Sequence, residues 1–214
     1  LSDFDIENIY AQIADDLRST GLSIIENAMD PIIIQALNQR IASLEEDTFQ
    51  TAGIGRQSDH EKNALIRRDK IRWLDRSNEL EAGYLQAMDD LKDYLNRRLF
   101  MGLFSYESHF AHYEKGAFYK KHLDAFKGKA NRVLTTVFYL NEDWQTEDGG
   151  ELVIYQAEDH NKALCKVLPQ QGTLVTFLSD EFPHEVLAAN KSRYSIAGWF
   201  RINASTAAHI DPPR

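Results

Sequence analysis

The feature that most constrains this chain is a change of hydrophobic period near residue 100. Before it, apolar residues recur at helical spacing. Ile6, Ile9, Tyr10, Ile13 and Leu17 make one stripe, and Ile33, Ile34, Leu37, Ile41 and Leu44 a second. Leu80, Tyr84, Ala87, Met88, Leu91, Leu95 and Leu99 make a third. Residues at these spacings share one face of a helix. Asp30-Pro31 is a start signal for the second helix: the carboxylate accepts from exposed N–H groups, and proline suits the first helical position. Short strands are expected at 22–26 and 71–74. After residue 100 the pattern becomes short β-rich runs at 103–113, 118–122, 132–141, 151–155, 165–168, 173–178, 185–188 and 193–202. Turn chemistry separates them: Glu114-Lys-Gly116, Lys127-Gly128-Lys129, Glu147-Asp-Gly-Gly150, Pro169-Gln-Gln-Gly172 and Ala189-Asn-Lys-Ser192. Closely spaced strands with no helical pattern between them predict an antiparallel sandwich or jelly roll. The expected class is α+β, a jelly roll with packed N-terminal helices.

The bulk numbers agree with one domain. The chain has 214 residues, 43% apolar and 27% charged, enough for a sizeable core. No apolar run approaches the ~20 residues that cross a membrane, and residues 1–7 carry no leader pattern. A single cysteine, Cys165, excludes internal disulfides and fits a reducing compartment, so a cytoplasmic location is expected. Cys165 itself reads as a small buried hydrophobe in a strand. Net charge is −9 and no basic stripe tracks phosphates. Arg67-Arg68 and Arg97-Arg98 are isolated pairs that read as solvated faces, so a nucleic-acid partner is disfavoured.

His122-Leu123-Asp124 follows the run Phe118-Tyr-Lys-Lys. In an extended segment, residues two apart point to the same side, so imidazole and carboxylate converge. One distant histidine would complete two nitrogens and one oxygen on one face of an octahedral metal, leaving positions open for oxygen chemistry. His184, which precedes a predicted strand, is the candidate. His-x-Asp alone is a weak signal, and His209-Ile-Asp211 repeats the spacing beyond the last strand. Arg193 is the second signal. Its planar fork pairs bidentately with a carboxylate, although a lone arginine on a strand is more often a surface residue.

Several longer runs carry a resemblance. They are His112-Tyr-Glu-Lys-Gly-Ala-Phe-Tyr-Lys-Lys-His-Leu-Asp124, Val137-Phe-Tyr-Leu-Asn-Glu-Asp-Trp144 and Asp148-Gly-Gly-Glu-Leu152. Gly172-Thr-Leu-Val-Thr-Phe-Leu-Ser-Asp-Glu-Phe-Pro-His-Glu-Val186 and Arg193-Tyr-Ser-Ile-Ala-Gly-Trp-Phe200 follow, with a weaker echo at Asp69-Lys-Ile-Arg-Trp-Leu74. In this order they resemble the prolyl hydroxylase branch of the 2-oxoglutarate oxygenases, in particular bacterial relatives of the enzymes that modify hypoxia-inducible factor. The resemblance implies a double-stranded β-helix at 101–203, helical support and a lid within 1–100, and a tail at 204–214, together one oxygenase domain.

It also implies Fe(II) held by His122, Asp124 and His184, with 2-oxoglutarate and O2 as co-substrates and ascorbate as a candidate accessory. Arg193, helped by the Tyr139 hydroxyl, would take the distal carboxylate, while Tyr113 and Trp199 line the pocket. Alternation puts Thr135 on the face of Val137 and Tyr139, and Trp199 on that of Arg193, Ser195 and Ala197. Without the resemblance, these aromatics read as ordinary core. The implied partner is a protein presenting a prolyl residue, a translation component being one candidate. Three rivals stand beside it: an oxygenase of a free amino acid or other small molecule, a non-catalytic β-helix binding module, and a zinc enzyme of cupin type. Residues 53–70, rich in glycine and charge, are expected to form the lid.

Overall fold

Patterns of two periods share a core where a helix stripe lies on one face of a sheet. The chain is built that way in a computed structural model that describes residues 5–52, 65–125 and 131–203. Helix α1 (Ile6–Thr20) leads to β1 (Leu22–Ile25), α2 (Pro31–Ser43), β2 (Gln50–Thr51), β3 (Lys70–Trp73) and the long α3 (Glu79–Leu99). Then come β4 (Leu103–Tyr113), β5 (Tyr119–His122), β6 (Arg132–Tyr139) and β7 (Leu152–Tyr155). The last four strands are β8 (Ala163–Val167), β9 (Leu174–Leu178), β10 (His184–Val186) and β11 (Arg193–Ile202). They form a seven-stranded sheet, β1-β9-β6-β11-β4-β3-β2, and a four-stranded sheet, β5-β10-β7-β8. The strand pairings are antiparallel.

Alternation along the long strands makes two cores. Tyr106, Phe110, Leu134, Phe138, Ile196 and Phe200 point outward and bury against Tyr10, Ile13, Leu17, Tyr84, Met88 and Leu91 of the helices. The residues between them, among them Ala111, Tyr113, Val137 and Tyr139, point inward and meet Leu152, Ile154, Val167 and Val186 of the smaller sheet. This is the double-stranded β-helix with helices packed on one side. Asp30 caps α2 as expected, its Oδ1 accepting from the Ile32 N–H at 2.8 Å.

Several details depart from the sequence reading. In α2 only Leu37 is fully buried, because that helix packs on α3 rather than on the sheet. The buried side of the third helix also includes a charged residue outside the apolar stripe. Glu81 is fully buried, and accepts from Arg40 Nε (2.6 Å), Arg72 (2.8 Å) and the Asp75 N–H (2.6 Å). It thus ties α2 and β3 to α3. The strand expected from 185 begins at His184, so that histidine belongs to the ladder itself. Cys165 is half-buried rather than buried, on β8 at the edge of the smaller sheet. Arg67 is not on a solvated face, being half-buried against Asp69. Residues 53–64 of the expected lid and the 204–214 tail, with His209-Ile-Asp211, lie outside the described residues. Among the described residues, no helix is long and apolar enough to cross a membrane.

Candidate active site

A cavity of about 200 Å3 opens between the sheets. At one wall, β5 ends on His122 and β10 begins on His184, and the antiparallel register sets the two opposite each other. Asp124 follows just beyond β5. Ligand atoms of the three residues lie within 4.8 Å of one another. His122 Nε2 is 3.4 Å from Asp124 Oδ1, and His184 Nε2 is 3.6 Å from Oδ2. Each Nδ1 faces a backbone carbonyl, that of Lys120 at 2.8 Å and that of Phe182 at 3.1 Å. A carbonyl only accepts, so each Nδ1 carries the proton and each Nε2 keeps its lone pair for the centre.

The carboxylate is held from behind. Asp124 Oδ2 accepts from Trp199 Nε1 at 2.9 Å and from Thr135 Oγ1 at 2.8 Å, and Thr135 also meets Ser179 Oγ at 2.9 Å. Burial works to raise the Asp124 carboxyl, but His184, His122 and the Trp199 N–H overcome it and hold it below the usual carboxylate range. Burial pushes the His184 imidazole down to about 4. At neutral pH His184 therefore offers a lone pair and Asp124 an anionic carboxylate; with the Nε2 of His122 beside them, this donor set fits a divalent first-row metal.

Deeper in, Arg193 opens β11 on the same inner face and is 1% exposed. Its Nε donates to the Gly150 carbonyl at 3.0 Å and one terminal nitrogen to Ser195 Oγ at 3.3 Å. Among the described residues the other terminal nitrogen meets the hydrogen-bond geometry with no partner, and neither does the buried Tyr139 hydroxyl. Tyr113 and Tyr139 flank the guanidinium, their centroids 4.8 and 5.1 Å from its carbon. The Gly149-Gly150 turn makes this possible. Both glycines have positive φ, and a Cβ on Gly150 would stand 2.8 Å from Ala189 Cβ and 3.2 Å from Arg193 Cδ. Burial raises the Tyr139 hydroxyl to about 12, partly offset by Arg193, so it stays protonated and can donate. A buried cation with no carboxylate partner, beside an unmatched donor, is costly unless a ligand acceptor meets both. A ligand carboxylate does so.

The structure thus brings His122, Asp124 and His184 together at one point of the cavity and Arg193 and Tyr113 at another, with Tyr139 packed against Arg193. Thr135 and Trp199, grouped by sequence with the co-substrate residues, line the same cavity and also donate to Asp124. At the more exposed end stand residues the sequence reading passed over. Arg67 makes a two-point ion pair with Asp69 (2.7 and 2.6 Å) and lies 4.3 Å over the Tyr119 ring. Arg132 lies 3.7 Å over Trp199 and binds Glu107 at 2.8 Å. His109 and Trp73 complete that wall. Alternation from Tyr113 would have placed Glu107 and His109 inward, and the echo at Asp69–Leu74 marked Asp69 and Trp73.

The profile of the 2OG-Fe(II) oxygenase superfamily matches residues 108–201. A prolyl-4-hydroxylase of Pseudomonas putida, known from its crystal structure, is 38% identical; the match covers 92% of this chain and 100% of that one, with TM-score 0.81. A prolyl hydroxylase of Trichoplax adhaerens, solved with a hypoxia-inducible-factor oxygen degradation domain peptide, is 27% identical over 91% of this chain and 90% of that one, with TM-score 0.79. Human Egl nine homolog 1 is 28% identical over 84% of this chain and 43% of its own length. The chain spans about half the length of the curated relatives it matches.

Proposed function

The chain belongs to the 2OG-Fe(II) oxygenase superfamily, and from that membership we propose that it hydroxylates a prolyl residue of a protein, as a dioxygenase of prolyl 4-hydroxylase type. Fe(II), 2-oxoglutarate and O2 are the cofactor and co-substrates of the family. In this reading His122, Asp124 and His184 hold the iron. Arg193 and Tyr139 take the distal carboxylate of 2-oxoglutarate, and Tyr113 packs against the guanidinium. Trp199 and Thr135 keep Asp124 turned toward the metal. Bound there, the iron supplies the oxygen activation that couples 2-oxoglutarate decarboxylation to hydroxylation of an unactivated carbon, with succinate and CO2 as products.

The protein's own part is position and exclusion of water. The two Nδ1 bonds fix which nitrogens face the metal, and the two donors on Asp124 Oδ2 limit its rotation. Arg193 recognises a carboxylate at the closed end of the cavity and so leaves the exposed end to the substrate. One observation carries the reading: Arg193, with a nitrogen unmatched among the described residues and the Tyr139 ring beside it, lines the same cavity as the His-Asp-His cluster. A zinc site of cupin type would leave Arg193 without a role. The lone cysteine supports action in a reducing compartment such as the cytoplasm.

The test is mass spectrometry of proteins from the source cells after incubation with enzyme, Fe(II), 2-oxoglutarate and air, with Asp124→Ala as control. A single-oxygen gain on a prolyl residue, absent from the control, is the expected result. Enzyme-dependent succinate with a free amino acid or other metabolite, and no protein modified, would replace the reading by a small-molecule hydroxylase. Failure to bind both Fe(II) and 2-oxoglutarate would leave a non-catalytic binding module.

A further inference from the structure

At the exposed end of the cavity the charged groups are matched within the chain. The Asp69 oxygens accept from Arg67, Arg132 binds Glu107, and the Trp199 N–H donates to Asp124. His109 differs from them. It lies on the inner face of β4, in register with Trp73 of β3 and Ala197 of β11. The Trp73 ring meets it edge-on at 5.3 Å and the Trp199 ring tilted at 5.5 Å, while Ala197 opposite leaves space on the cavity side. Its Nδ1 is 3.2 Å from the Phe110 carbonyl oxygen, so Nδ1 carries the proton and Nε2 keeps a lone pair. That Nε2 makes no hydrogen bond among the described residues, in a residue only 4% exposed that lines the cavity. Burial, with Arg67 acting in the same direction, lowers the imidazole to about 4, which leaves the acceptor free at neutral pH. An acceptor set among two indoles and a methyl group is a selective device. It rewards a donor and penalises an apolar group at one point.

We propose that His109 is a specificity-determining residue, its Nε2 accepting a hydrogen bond from a backbone N–H of the peptide adjacent to the reacting residue. The inference rests on the protein-substrate reading above. A prolyl residue has no N–H of its own, so the donor comes from a neighbour. A peptide with proline or an N-methylated residue at that neighbouring position leaves His109 Nε2 desolvated and unpaired.

The first arm of the test needs no turnover. In protein labelled with 15N-histidine and loaded with Zn(II) and 2-oxoglutarate, His109 is assigned by the signal lost in His109→Phe. It is expected to be neutral with the proton on Nδ1 from pH 6 to 8, and Nε2 to shift when the hydroxylated peptide is added. A proton on Nε2 overturns the proposal. The second arm is kinetic and compares that peptide with copies N-methylated just before and just after the prolyl residue. In the natural protein one methylation should raise KM about tenfold with kcat little changed. In His109→Phe the same pair should agree within about twofold, and His109→Gln, whose amide oxygen accepts, should restore the discrimination. Unchanged 2-oxoglutarate affinity shows that the variants are folded. Peptide hydroxylation with equal discrimination in both proteins overturns the role of His109 alone. Hydroxylation of metabolites but no peptide overturns the prolyl reading, and this inference with it.

Discussion

The two faces of the seven-stranded sheet come from the same strands, one residue apart, and they differ in what they leave unmatched. The outer face is matched mainly by its own chain. Tyr106, Phe110, Phe138 and Phe200 pack on the helices, and the Tyr84, Tyr106 and Thr136 hydroxyls bond in series at 3.0 and 2.8 Å. Gly198 lies beneath them, where a Cβ would stand 2.1 Å from the Tyr106 hydroxyl oxygen. Its orphans, the Ser108 and Thr176 hydroxyls, are neutral. On the inner face the orphans include one nitrogen of a buried guanidinium, next to a phenol raised to about 12. An unmatched charge costs far more than an unmatched hydroxyl, so the inner face is built around a ligand.

Substitutions should separate the faces. The largest effect is expected from Asp124→Ala: iron-dependent turnover falls to background, at least ~1000-fold or ~4 kcal/mol, while unfolding stays cooperative. Turnover within tenfold of the natural protein would remove Asp124 from the metal site. On the outer face, Phe138→Ala, one residue from the inward Val137, should lower stability by about 3–5 kcal/mol in a urea titration. Fe(II) and 2-oxoglutarate affinities of the protein that remains folded should be unchanged. Returning to the inner face, Arg193→Ala should weaken 2-oxoglutarate binding by roughly 2–5 kcal/mol, measured by calorimetry with Zn(II) in place of iron. Its stability without ligand should fall less than that of Phe138→Ala, since part of the guanidinium is already unmatched. Equal losses of stability in the two variants would erase the distinction drawn between the faces.

That distinction also governs what could be read in the sequence. The outer face follows from period alone: the 103–113 and 193–202 runs alternate apolar residues, and their bounds agree with β4 and β11. Periodicity also places Arg193, Tyr139 and Tyr113 on inward positions, but it cannot say that three separate strands bring them side by side. Motif order supplied that, through the family resemblance. Glu81 shows the limit from the other side. An acid on a helix that carries many charged residues reads as solvent-facing, because its partners Arg40 and Arg72 lie on other elements. Arg67 was misread for the same reason, its partner Asp69 being visible but its burial over Tyr119 depending on β5. His109 gave no signal beyond parity, since a histidine among aromatics in a strand passes for core.

The smallest effect tests the inner face through pH. His109 and His184 are both buried there, and burial lowers each to about 4. In the unfolded chain an imidazole titrates near ~6.5, so between about pH 4 and 6.5 the unfolded state binds more protons than the folded state. Stability therefore falls as pH drops through that window and is fully present above it. Going from pH 7 to pH 5 should cost ~2 kcal/mol for each of the two imidazoles. Asp124 is ionised in both states over this range, so its lowered carboxyl adds nothing. On the outer face, His112, buried and also lowered by burial, contributes in the same direction but less. The measurement is the urea midpoint of the metal-free protein at pH 7 and pH 5, repeated in His109→Phe. That variant should lose nearly half of the pH dependence. An undiminished pH dependence would mean that the protons are taken up elsewhere and that His109 is not the buried neutral acceptor.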